Sequence, residues 1–273
     1  MIKPYLAETV LIEGPDAAAF AQAQFCSNVA VLAHGRWQFS AWLDPQGRVK
    51  AFFHLARLTD ERLLLLLRGG HAADVAQLLT RFVLRSKVTL TALAPRNLST
   101  GPALPLHETL QSGEQEFLLG CDTHSLRICT DGSGDNAWRL AQLRTGWPWL
   151  PESMLSEWLA PTLALQHLQA IAIDKGCYPG QEIVARLHYR GGNKKHLHRI
   201  ELSAPESLAP IMAGDTLRMR ANEKIWLLDV IRHDCVAEAL AVMSDDLATA
   251  AIDATLVCAD DPTRVRLVET WRA

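Results

Sequence analysis

Five consecutive leucines at 63–67, closed by Arg62 and Arg68, constrain this chain more than any other feature. Side chains alternate across a strand, so such a run puts apolar groups on both of its faces. It fits a strand buried inside a sheet and covered on both sides. It is far short of the roughly 20 apolar residues that a membrane helix needs. With 273 residues the chain is long enough to supply the covering layers.

Neighbouring segments supply the sheet. Residues 37–43 and 49–58 read as strands joined by Asp44-Pro45-Gln46-Gly47, a turn sequence. Gly69-Gly70 breaks the leucine strand. Residues 71–83 then show helical spacing, with Val75, Leu78, Leu79 and Phe82 on one face, and 87–93 alternate as a strand. Gly14-Pro15-Asp16 ahead of 17–25 has the form of a helix start. An α+β unit is expected over about 37–140. Residues 94–116, with Pro95, Pro102 and Pro105, read as a surface connection, 117–119 and 126–129 as weaker strands, 130–136 as a turn-rich loop, and 137–143 as a strand. Residues 155–173 read as partly helical. A helix is expected at 180–190, led in by Pro179 and ended by Gly191-Gly192, with Ile183, Val184 and Leu187 on its buried stripe. Beyond it, short apolar runs at 225–231, 237–243, 255–257 and 264–270 predict a small C-terminal β-barrel or sandwich.

Hydrophobic residues at 49% and charged residues at 21% describe an ordinary globular chain. A net charge of −3 gives no chain-wide basic field for nucleic acid, so no stable nucleic-acid binding is expected. Without a membrane span or a secretory leader, the expected location is the cytoplasm. Cys26, Cys121, Cys129, Cys177, Cys235 and Cys258 are scattered with no Cys-x-x-Cys pair, which predicts neither a zinc cage nor a permanent cluster. Most of these thiols read as small core residues. His196 and His198 share a strand face, but no third metal ligand follows nearby.

The chemistry concentrates in Lys175-Gly176-Cys177-Tyr178-Pro179-Gly180-Gln181-Glu182. If residues 175–177 are extended, Lys175 and Cys177 point to the same face. An ammonium beside a thiol, with a helix start close behind, favours the thiolate. Gly176 and Gly180 leave room for a close approach. Gln181 and Glu182 can cap or orient the helix start. The plain alternative is a buried packing cysteine and a solvated lysine. The basic run Arg186, His188, Arg190, Lys194, Lys195, His196, His198 and Arg199 could hold an anion or could be a solvated helix end.

That eight-residue core, continued by Ile183-Val184-Ala185-Arg186 and Tyr189-Arg190-Gly191, resembles the signature of the YgfZ group, relatives of the glycine-cleavage T-protein. Gly14, Asp16, Ala17, Phe20, Gln22, Gln24 and Val29, the Asp44/Gly47-Arg48 turn, and Trp138 followed by Gly146-Trp147-Pro148 are similar to the family pattern over most of the chain. The resemblance implies an α+β, three-domain ring around a central folate site. Its parts would be a discontinuous first domain of 1–36 plus 138–196, a ferredoxin-like domain of 37–137, and a C-terminal β-barrel of 197–273. It implies a tetrahydrofolate-binding accessory protein of iron–sulfur cluster assembly or repair that indirectly supports tRNA modification. Cys177 would be the reactive or transiently cluster-contacting group and Lys175 its electrostatic partner, within a motif that includes Gly176, Tyr178, Gly180, Gln181, Glu182 and Arg186. Trp138 would stack on the folate, with Tyr5 and Arg190 as further contacts. Cluster-assembly proteins or client enzymes would be the partners. Two departures stand out: Asn28 replaces a usual aspartate, and Arg144 stands where relatives often carry an acid. The T-protein also takes a catalytic carboxylate from an Asp-Asp pair, where this chain reads Arg48-Val49-Lys50-Ala51. Aminomethyl transfer is therefore the alternative reading, not the main one.

Overall fold

The computed structural model describes residues 5–113, 116–130, 135–204, 210–233, 236–252 and 254–272. The leucine run forms β5 (Arg62–Leu67), the middle strand of an antiparallel sheet ordered β3 (Arg36–Leu43), β4 (Val49–Thr59), β5, β2 (Thr9–Glu13), β6 (Thr89–Ala92). Leu63, Leu65 and Leu67 pack with Val10, Ile12 and Phe53 under α1 (Ala17–Gln24) and α2 (Ala72–Thr80). Leu64 and Leu66 face the other way, into a core with Trp37, Phe39 and Phe52. Both faces are dry, as the alternation requires. Each buried leucine contributes about 1.5–3 kcal/mol.

A second antiparallel sheet runs β1 (Leu6–Ala7), β7 (Arg96–Gly101), β10 (Ser125–Cys129), β9 (Glu116–Gly120), β8 (Thr109–Ser112). Residues 94–116, expected as a surface connection, thus hold two strands. Pairing of β7 with β10 and β1, both remote in sequence, buries Leu98 and Ser99 where local alternation is weak. Residues 131–134 of the expected loop lie outside the described residues. The expected strand at 137–143 is instead α3 (Ala137–Arg144), because its buried residues Trp138, Arg139, Gln142 and Leu143 recur at helical spacing. No α-helix forms over 155–173. Ala164 and Gln169 adopt left-handed backbone there (φ 54° and 53°), and the segment runs as successive turns.

The C-terminal sheet is ordered β12 (Thr216–Arg218), β13 (Lys224–His233), β14 (Val236–Ser244), β11 (Lys195–Ser203), β16 (Arg264–Trp271), β15 (Leu256–Val257), with α5 (Asp245–Ile252), unforeseen from sequence, after β14. Register shifts at Arg199/Ile200 and Leu227/Asp229 mark bulges, which bend a sheet. Its edges approach each other: Ala259 N–H, just past β15, donates to Arg218 O of β12 at 2.9 Å. The core cluster under the first sheet continues through the second sheet and residues 150–178 to Leu197, Leu228, Leu240, Val242 and Trp271 of the third. Arg139 pairs with Asp229, and Arg144 with Glu238, so α3 is bound to the C-terminal sheet by ion pairs.

Candidate functional site

Two places gather the residues singled out by sequence. The first is the signature loop ahead of α4 (Gln181–Arg190). Residues 173–176 bend and are not an extended strand. Ala172 N–H donates to Cys26 O at 2.7 Å, which lays the segment along residues 25–27. The Lys175 ammonium is buried and donates to Gln22 O, Phe25 O and Ser27 O at 2.6, 2.5 and 2.8 Å. The ammonium's donors are taken up by these carbonyls at the end of α1, so Lys175 and Cys177 do not lie side by side on an extended strand, contrary to the alternation reading. Close to Lys175 in this packing is the Cys26 thiol, fully buried, accepting from Ala41 N–H and donating to Ala170 O. Burial pushes the Cys26 thiol up to about 11 and the Lys175 ammonium down to about 8. The three short ammonium–carbonyl bonds act against that second shift and hold Lys175 charged.

Gly176 and Cys177 are exposed, Tyr178 is buried, and Pro179 is half-buried. The Tyr178 ring lies 5.1 Å from the Lys175 Nζ, and burial raises its phenol pKa. Gly180, the N-cap, has φ 79°, and a Cβ there would come within 2.5 Å of Asp44 O and 2.9 Å of Gly47 Cα. The motif's second glycine is thus required because the loop rests on the β3–β4 turn. Gln181 Nε2 reaches back to Ile173 O and Lys175 O at 3.2 and 3.3 Å. Glu182, Arg186 and Arg190 are exposed on α4, and Val184 is its buried anchor. Cys26, Cys121, Cys129 and Cys258 are buried, and Cys235 lies outside the described residues. Among the described residues, Cys177 is the exposed thiol.

The second place is aromatic. Trp138 on α3 is 2% exposed, donates its indole N–H to Asp135 O, and meets Tyr5 edge-on at 5.8 Å and Trp149 at 5.2 Å. Tyr5 and Trp149 then line a cavity of about 440 Å³ with Leu6, Glu8, His71 and Leu150. Arg139 stands 4.3 Å over Tyr5 and Arg68 stands 4.7 Å over Trp149. Arg68 is held by Gln142, Trp147 O and Pro148 O, and burial lowers its pKa to about 9. Glu8 accepts from Ala72 N–H at 2.8 Å and has His71 Nδ1 at 3.6 Å. The structure therefore brings Tyr5 and Trp138 together, with Trp138 behind the wall. Arg190 does not line this cavity. Trp149 and Glu8 were missed by sequence. Trp149 sits just past the Gly146-Trp147-Pro148 stretch, which was the available signal; Glu8 had none.

Arg144 grips Glu238 through Nε and Nη2, and Arg199 and His233 approach the same carboxylate, so it serves the interface with the C-terminal sheet. Buried His196 and His198 lie on β11, near Asp245 and Thr270 respectively. No cluster of three metal-ligating side chains occurs among the described residues, and none of their helices is long and apolar enough to cross a membrane.

Residues 6–98 match the family model for the GCVT N-terminal domain. An uncharacterized protein of Haemophilus influenzae is 27% identical, the match covering 88% of this chain and 87% of its own. The tRNA-modifying protein YgfZ of Edwardsiella ictaluri is 26% identical over 86% of this chain and 85% of its own, and that of Sodalis glossinidius 23% over 88% and 87%. The crystal structure of the glycine cleavage system aminomethyltransferase T from Bartonella henselae superposes with a TM-score of 0.65 at 14% identity, over 96% of this chain and 82% of its own. The α+β, T-protein-like architecture expected from the sequence is therefore the one observed.

Proposed function

We propose that this chain is a member of the YgfZ family, whose named proteins it resembles over most of its length, and that it is a tetrahydrofolate-binding accessory protein that supports iron–sulfur enzymes, tRNA-modifying ones among them, through Cys177. The observation that carries the reading is the exposed Cys177 thiol on a loop whose neighbours on both sides, Lys175 and Tyr178, are buried. A thiol held out in this way can reach a partner's cluster or a reactive sulfur without unfolding the loop. Cluster-assembly proteins or client enzymes in the cytoplasm are the expected partners.

The Tyr5–Trp149 cavity fits a pterin. Its two aromatic side chains offer stacking faces, and the Glu8 carboxylate can accept the paired N–H groups of an aminopyrimidinone edge. Folate would supply a one-carbon carrier or a redox-sensitive ring, while these residues bind and orient it. Aminomethyl transfer has less support, because Lys50 packs 3.8 Å over the Trp42 ring and residues 48–51 carry no carboxylate.

Two measurements test the reading. In cells lacking the protein, Cys177→Ser should fail to restore a cluster-dependent tRNA modification, and full restoration would remove Cys177 from the function. Calorimetric titration with tetrahydrofolate should show at least about tenfold weaker binding for Trp149→Ala and Glu8→Gln, a loss of about 1.4 kcal/mol. Unchanged affinity in both variants would place the folate elsewhere.

A further inference from the structure

We propose that Lys175 is a positioning residue that acts through Cys177, locking the signature loop onto the end of α1 so that Gly176 and Cys177 alone stand out. This rests on the reading of Cys177 as the working group, but the lock itself is visible in the hydrogen bonds.

Residues 25–27 each give their carbonyl to the incoming segment: Phe25 O and Ser27 O to Lys175 Nζ, Cys26 O to Ala172 N–H. Lys175 is the last of these ties before the exposed tip. A cation at the end of α1 also complements the negative end of the helix dipole. The chain is caught again within three residues, by buried Tyr178 and by Gly180 seated on the β3–β4 turn. Gln181 closes the loop from behind through Ile173 O and Lys175 O. Around Gly176, by contrast, a Cβ would meet nothing within 4 Å. The tip is therefore free to meet a partner while both of its feet are fixed. No side chain other than lysine combines the reach with three donors on one atom, which the three carbonyls need. Arginine carries a wider, planar fork.

A lysine that tunes the thiol electrostatically and a lysine that positions it make different predictions. Lys175→Met keeps the apolar stem and removes the charge and the donors. Amide hydrogen exchange and iodoacetamide labelling of the full-length protein separate the two. Under the positioning role, protection of the Gln181 and Val184 amides, which donate to Tyr178 O and Gly180 O, falls at least tenfold, while β13 and β14 keep theirs. The pH profile of Cys177 labelling then keeps its wild-type midpoint. Under the electrostatic role the midpoint moves and local protection is unchanged, which would overturn the proposal. Equal loss of protection in the loop and in β13–β14 would also overturn it, since Lys175 would then serve global stability alone. Should Lys175→Met fail to fold, Gln181→Ala removes the rear tie: a local loss of protection confined to 173–184 supports the lock, and unchanged protection refutes it. These readouts need neither folate nor a client enzyme, so failure of the proposed function would leave them standing.

Discussion

Replacing Trp138 by alanine decides whether its indole is a face offered to a ligand or a beam of the core. The side chain is 2% exposed, bonded through its indole N–H to Asp135 O at 3.1 Å, and in ring contact with Tyr5 and Trp149. Truncating a buried tryptophan costs about 3–5 kcal/mol, because transfer free energy is lost and a cavity remains. Within that total, each aromatic pair supplies about 0.5–1.5 kcal/mol, and the N–H bond a further amount of about 1 kcal/mol. Equilibrium urea unfolding followed by far-ultraviolet circular dichroism reads the loss directly. Trp149→Ala should cost less, because Trp149 is half-buried and one side faces the cavity. The order should invert for tetrahydrofolate titrated into folded protein, with Trp149 the more sensitive position. A Trp138→Ala penalty under about 1 kcal/mol with an unchanged urea slope would refute the argument, since that is the cost of an exposed wall.

Under native conditions iodoacetamide should label Cys177 first, with Cys26, Cys121, Cys129 and Cys258 following only on unfolding; peptide mass spectrometry checks the order, and early labelling of Cys26 would show that the Lys175 cage opens. Burial keeps the His198 imidazole neutral, lowering its pKa to about 4 from 6.5, with neighbouring His196 acting in the same direction. Between pH 6.5 and 4 the unfolded chain thus binds a proton that the folded chain does not, and stability falls as pH falls through that window. His198→Asn should flatten this part of the pH dependence in urea titrations, and an unaltered slope would remove His198 as its source.

Much of the first sheet was legible because its signals are local. The leucine run, the Asp44–Gly47 turn and the helical spacing after Gly70 each specify an element without reference to distant residues. α3 was misread because Ala137–Arg144 is short, Trp138 and Leu140 alternate as in a strand, and two of the residues that complete its helical stripe, Arg139 and Gln142, are polar. β7 was missed because its burial comes from β1 and β10, not from its own pattern. In the candidate site, the residues around Cys177 left an exposed thiol and a packing thiol both open, and the resemblance favoured the first, which is the one observed. The destination of Lys175 was not legible: three backbone carbonyls around residue 25 leave no mark on side-chain sequence. Glu8 and Trp149 meet only because distant segments fold onto one cavity.

The contact between Gly180 and the β3–β4 turn bears on how this protein can be rebuilt. Hairpin tips are the usual places to insert an epitope or graft a domain, because exposed loops tolerate added length. Here Gly47 is backed by Ile183 and Gly180, and its carbonyl accepts from Ala160 N–H at 3.2 Å. An insertion between Asp44 and Arg48 would press on the floor beneath the cysteine loop, so labels for tracking the protein belong on a hairpin that does not underlie it.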